Sequence, residues 1–204
     1  MMKRAFVAVL AIVMVLALGS CGKKESRTVA AFKDINESTG YHMDLEMKID
    51  DESVRMDMQA KGDLFYADAS VSGQQVLMIR NADGFYVLLP SMKMGMKLID
   101  SAEMDEAIGQ IGSFMVIGEK AKNEKFKAGE MEVDGSKYYF EEFSSRGKSE
   151  ERARFLFEKD ELKYILVMDE EDVEETVKIH TMDAKIDESL FKIPEGYTIT
   201  DGNL

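Results

Sequence analysis

The chain has 204 residues, a formal net charge of -13, a single cysteine, no tryptophan and sixteen methionines. So acidic a surface repels nucleic acid and anionic headgroups and favours basic partners or cations. One cysteine excludes an internal disulfide, and two prolines with no long low-complexity run leave one domain with chain enough for a hydrophobic core.

The N-terminus comes first. Lys3 and Arg4 are basic, Ala5 to Leu18 are apolar, and Gly19 and Ser20 are small. This is the layout of a secretory signal, short for a membrane span. Leu18, Gly19, Ser20 and Cys21 resemble the lipobox of bacterial lipoproteins. The resemblance implies that residues 1–20 are removed and that Cys21 is acylated with diacylglycerol and palmitate. Removing Lys3 and Arg4 with the signal takes the charge from -13 to -15. Each buried methylene contributes about 0.8 kcal/mol, and a second acyl chain converts reversible binding to stable anchorage. Residues 21–27 read as a polar tether and 28–204 as a single domain. The expected location is extracytoplasmic, lipid-anchored to the cell membrane or the outer membrane. Gly22 stands where an aspartate would, by resemblance to Gram-negative lipoproteins, imply inner-membrane retention; a Gram-positive host gives that rule no meaning.

From Thr28 to Ser38 the apolar residues Val29, Phe32 and Ile35 share one side, which predicts a short helix ended by Gly40. The period then becomes two. Met43, Leu45, Met47 and Ile49 alternate with Asp44, Glu46, Lys48 and Asp50, and Val54, Met56, Met58 and Ala60 repeat the scheme, so two half-buried antiparallel strands are expected. "GDLFYADAS" and "QQVLMIRN" continue the meander, "ADG" reads as a turn before "FYVLLP", and Met92, Met94, Met96 and Leu98 alternate again. Asp100 to Ile117 breaks the habit. Ala107, Ile108, Ile111 and Met115 recur at three and four, predicting an amphipathic helix across the sheet, with Asp100 and Glu103 as a reciprocal cap. The second half returns to strands, with a turn at Asp134-Gly135, three strands joined by "KDE" and "DEED", and a closing "LFKIPEGYTIT".

Nine or more antiparallel strands tend to curl. The fold class expected is mainly β with helices (α+β): a curved antiparallel sheet, an incomplete barrel, with a helix in its concave side. The element order resembles the bacterial lipoprotein-carrier superfamily, the LolA/LolB and LppX/LprG-like folds. Phe191, Ile193, Pro194, Gly196 and Tyr197 of "FKIPEGY", together with "ADGFYVLLP", carry the resemblance, which spans roughly residues 28–200. It implies a hollow that takes lipid or acyl chains. Those carriers include soluble members, whereas this chain reads as tethered.

Three readings meet at Met43, Leu45, Met47, Met56, Met58, Met92, Met94 and Met96, with Ile108, Ile111 and Met115 of the central segment. The plainest is core filling by a flexible side chain. The second is an adaptable lining for varied apolar ligands. The third is copper capture by thioethers, though "MKMGM" has plain strand spacing. His42 and His180 lack any metal-ligand motif and read as solvated or locally hydrogen-bonded. The acidic runs Asp169 to Glu175 and "EEFSSRGKSEE" read as solvated hairpin tips, lacking calcium-loop spacing. Carboxylates such as Asp57 and Asp63 single out nothing on so acidic a chain. No nucleophile motif, phosphate loop or dinucleotide fingerprint occurs, so no enzyme and no cofactor is expected. Pro194 and Gly196 are structural, shaping the start of the last strand.

The function expected is therefore a non-catalytic, anchored binder or carrier of lipid or another hydrophobic ligand. The alternative is an envelope structural or protein-interaction lipoprotein with a filled core. Partners to expect are membrane lipid through the anchor, a hydrophobic ligand and a basic envelope partner.

Overall fold

The computed structural model describes residues 26–49, 52–98, 121, 124–144, 151–169 and 172–202. The signal, Cys21 and the central segment with Ile108, Ile111 and Met115 lie outside the described residues.

Helix α1 spans Arg27–Glu37. Ser26 caps it, its side chain accepting from the Val29 amide, and Ser38 ends it by donating its amide and hydroxyl to the Ile35 carbonyl. A hydroxyl at the cap satisfies an amide that the helix itself leaves orphaned.

Among the described residues twelve strands follow: β1 Gly40–Ile49, β2 Glu52–Lys61, β3 Leu64–Val71, β4 Gln74–Asn81, β5 Gly84–Leu89, β6 Met94–Leu98, β7 Lys127–Val133, β8 Ser136–Ser144, β9 Glu151–Glu158, β10 Glu161–Asp169, β11 Asp172–Asp183 and β12 Thr198–Gly202. They form one sheet in the order β12-β6-β5-β4-β3-β2-β1-β11-β10-β9-β8-β7. The order has two ends, so the barrel is open. All neighbouring pairs are antiparallel except β12, which runs parallel to β6. A strand that pairs with one so far upstream, after a crossover, has no turn to dictate its direction.

Strand alternation puts a different job on each face. On the concave side Phe32 of α1 is fully buried among Met43, Leu45, Met58, Phe65, Phe143, Phe155, Ile165 and Ile179. Its ring meets Phe155 edge-on at 6.1 Å between centroids. On the convex side of the first half the C-terminal segment lies down, with Phe191 buried among Tyr66, Leu77, Ile79, Tyr86 and Leu88. A one-turn 3-10 helix, Glu188–Phe191, delivers that ring. Gly196 has φ +84 two residues before β12, a conformation that favours glycine. The convex side of the second half carries its own apolar set, Phe140, Leu156, Tyr164, Leu166 and Met168.

Among the described residues the sheet bends at three bulges. One lies in β11, where Asp44 faces Thr181 and Leu45 faces Ile179, leaving His180 as the extra residue. A second lies in β10, where Lys163 is extra opposite β9. The third lies at the far end of β11, where Val167 faces Glu175 and Met168 faces Val173. Each adds twist, which draws the sheet around the helix.

Candidate functional site

The residues expected to line a ligand hollow divide into two groups. Met43, Leu45 and Met58 are each 1 % exposed. Met47 and Met56 are half-buried against the same core. All five belong to the apolar core that takes in Phe32 of α1. Met94 and Met96 also point to the concave side, since Met96 pairs with Val87 and Met94 with Leu89 on the face of Phe85. They remain 47 % and 41 % exposed. Met92 differs from its expected place in a strand. It lies in the turn between β5 and β6, with its amide on the Leu89 carbonyl, and is 54 % exposed. The physical cause is Pro90, which donates nothing to a ladder and lets the chain turn before Met94. The structure therefore brings Met43, Leu45, Met47, Met56 and Met58 together and leaves Met92, Met94 and Met96 apart from them at the β6 end.

A polar junction that the sequence did not announce holds the helix in the cup. Glu141 of β8 is 1 % exposed and faces the concave side. Its Oε2 accepts from Ser26 Oγ at 2.6 Å, from Thr28 Oγ1 at 2.8 Å and from the Thr28 amide at 3.0 Å; its Oε1 accepts from the Arg27 amide at 2.9 Å. A carboxylate at a helix N-terminus meets the orphaned amides and the positive end of the peptide dipoles together. The Arg27 guanidinium stacks over Tyr139 at 4.3 Å and donates to the Lys159 carbonyl. Tyr139 is held above the usual phenol range by burial, helped by the Glu141 charge. The available signal was "YYFEEF": two successive acids inside an apolar strand, one on each face. Glu142, on the convex face, is 6 % exposed and bonds Arg154 Nε at 2.5 Å.

The convex face of β1 carries ion pairs. Arg55 grips Asp44 with two bonds, 2.9 and 2.5 Å. That grip holds Asp44 below the usual carboxylate range. His42 lies between Asp57 at 3.1 Å and Asp183 at 3.5 Å, and His180 meets Glu46 at 3.1 Å. Both histidines are thus locally paired. Glu46 is held low first by the Ser53 hydroxyl and then by His180. Among the described residues no group of three or more His, Cys, Asp or Glu is arranged to hold a metal.

Two cavities stand out, and both open to solvent. One, of about 470 Å³, lies on the convex side between Glu46, Arg55 and Ser70. The other, of about 350 Å³, lies beside α1 between Ala31, Lys163, Ile179 and Met182, next to the bulges at Lys163 and His180. No described helix is long and apolar enough to cross a membrane.

No protein-family model matches the chain, and no curated protein matches it. Solved structures do. An uncharacterised conserved protein from Thermus thermophilus is 12 % identical over 85 % of this chain and 97 % of that one, with a TM-score of 0.47. MucB is 10 % identical over 83 % of this chain and 61 % of that one, at 0.46. A chain of the Pseudomonas aeruginosa MucA/MucB complex is 10 % identical over 83 % and 62 %, at 0.43. This chain accordingly spans about three fifths of those last two. The likeness, at low identity, is not specific to the LolA/LolB carriers.

Proposed function

We propose that this is a non-catalytic envelope lipoprotein, anchored through acylated Cys21 after removal of residues 1–20, whose β body works by holding a protein partner. The observation that carries this reading is Phe32. Its ring has no exposed surface and lies in one apolar core with Met43, Leu45 and Met58, residues the sequence offered as a ligand lining. Side chains so enclosed leave their own place to no ligand, and the cavity of about 350 Å³ beside α1 is open and lined by charged as well as apolar residues. Function then falls to the outer surfaces and the sheet edges, in keeping with the filled-core alternative raised from the sequence. The test is mass spectrometry of the full chain isolated from membranes. A diacylglyceryl-modified Cys21 with no stoichiometric copurified lipid supports the reading. Release of Cys21→Ser into the soluble extracytoplasmic fraction supports the anchor. An acyl ligand recovered at one per chain overturns it.

A second reading keeps a hydrophobic ligand at the β6 end. It is favoured by Met94 and Met96, which face the concave side yet stay largely exposed. Photoreactive fatty-acid labelling of those two residues, lost in the double change to serine, is the outcome it requires.

A further inference from the structure

The strand β7 closes one end of the sheet and pairs on one side, with β8. Its hairpin turns through Asp134 and Gly135, at φ +50 and +75, the two positive angles of a tight two-residue hairpin. Such a turn closes on a hydrogen-bonded pair, here Val133 and Ser136. Counting back by twos, Val133, Met131, Gly129 and Lys127 direct their backbone groups to β8. Ala128, Glu130 and Glu132 therefore direct theirs away from β8, to the edge that no strand among the described residues pairs with.

The side chains at this edge are segregated. Ala128, Glu130 and Glu132 lie on the concave side, opposite Glu141, Tyr139 and Lys137, and all three are exposed. Gly129, Met131 and Val133 lie on the convex side, half-buried. There the Phe140 ring covers Gly129, and an added Cβ would meet it at 2.8 Å. The Arg154 guanidinium stacks over the same ring at 4.9 Å. Edge strands are usually guarded by proline, inward lysine or a bulge. The interior of β7 has no proline and no lysine, and its register with β8 runs without a break. Among the described residues its guard is the pair of glutamates, and that guard is selective. Two copies of β7 side by side set glutamate near glutamate, which is unfavourable, whereas a basic neighbour is favourable.

We propose that β7 is a docking edge for an extended segment of a partner protein in which basic and apolar residues alternate. The segment adds as a thirteenth strand. Its backbone takes the outward groups of Ala128, Glu130 and Glu132, its lysines or arginines face Glu130 and Glu132, and its apolar residues cover Met131, Val133 and Phe140. This rests on the protein-holding reading above and names its partner class and its site.

The test uses the full chain purified from membranes and two capped nine-residue peptides, one alternating lysine with valine and one alternating glutamate with valine. Amide hydrogen exchange is read residue by residue. The expected result is slowed exchange at Ala128, Glu130 and Glu132 with the lysine peptide and none with the glutamate peptide. Glu130→Lys with Glu132→Lys is expected to weaken the lysine peptide by about tenfold and to admit the glutamate peptide. Ala128→Pro removes one outward amide and is expected to block both. Equal effects of the two peptides, protection on another strand, or a β7-dependent dimer of this chain in sedimentation overturns the proposal. A photo-cross-linking residue placed in cells at position 130, and separately on the convex face of β1 and at the β6 end, tells the two levels apart. Protein adducts from the other faces with none from 130 overturn the β7 edge and leave the protein-holding reading standing. No protein adduct from any face overturns both.

Discussion

The hydroxyl of Ser26 donates to Glu141 across 115 positions of sequence, at 2.6 Å, and joins the N-cap of α1 to the concave face of β8. The same carboxylate takes three further bonds from Arg27 and Thr28. The start of α1 is thereby pinned at the point where the expected tether ends.

Replacing that carboxylate is therefore costly. Glu141→Ala leaves two hydroxyls and two amides without their acceptor in a buried place, and about 2–4 kcal/mol of stability is expected to go. Thr28→Val removes a single hydroxyl and is expected to cost about 1 kcal/mol. Urea unfolding reads both, with a lowered midpoint at unchanged slope. A near-neutral Glu141→Ala would mean the helix is held by Phe32 and Ile35 alone.

The apolar half of the attachment has a similar scale. Phe32→Ala empties the middle of the cup and is expected to cost about 3–5 kcal/mol. Phe32→Leu is expected to cost visibly less, because part of the volume remains. If the alanine variant unfolds at the wild-type midpoint, the cup is not filled in the way that excludes a lipid.

The Arg55–Asp44 pair predicts an acid limb. Asp44 is depressed by the Arg55 hydrogen bonds, so the folded state holds its proton less tightly than the unfolded chain does. Its contribution is present above the ordinary aspartate pKa and is lost as pH falls through the depressed folded value. Arg55 is 61 % exposed, so solvent and salt weaken the effect. Asp44→Asn is expected to flatten this part of the stability curve, measured by thermal unfolding across the acid range at low salt. An unchanged slope would show that the pair contributes nothing.

Tyr66 predicts an alkaline limb of opposite sense. Burial beside the C-terminal segment, with Asp68 and Asp57 near, pushes its phenol from 10.0 up to about 12. The unfolded chain then ionises first. Stability is undiminished below pH 10 and falls between pH 10 and 12. Ultraviolet titration is expected to show a phenol ionising at about 12 that vanishes in Tyr66→Phe, and that variant is expected to resist the alkaline fall. A Tyr66 that titrates with the exposed phenols would show the C-terminal segment lifting away from Leu77 and Ile79.

Much of the strand pattern was legible because period-two alternation is local. Met43, Leu45 and Met58 announced their burial, and Asp134-Gly135 announced its turn, since each depends on neighbours a few residues away. Glu141 was not legible. An acid between Phe140 and Phe143 reads as an oddity until the helix that needs an acceptor is seen above it. Met92 was read one turn too early, because alternation cannot say where a strand starts when Pro90 intervenes. The parallel pairing of β12 with β6 was equally out of reach.

The sequence by itself determined a chain of alternating strands with an amphipathic helix at its head, behind a lipobox-like cysteine, because hydrophobic period and short motifs are properties of adjacent residues. Only the tertiary structure decided that Phe32 is buried on the concave side, that Glu141 meets the start of the helix, and that β7 ends the order of described strands with its glutamates on one side. Those are relations between residues far apart in the chain, fixed by closure of the sheet around the helix, and no local pattern encodes them.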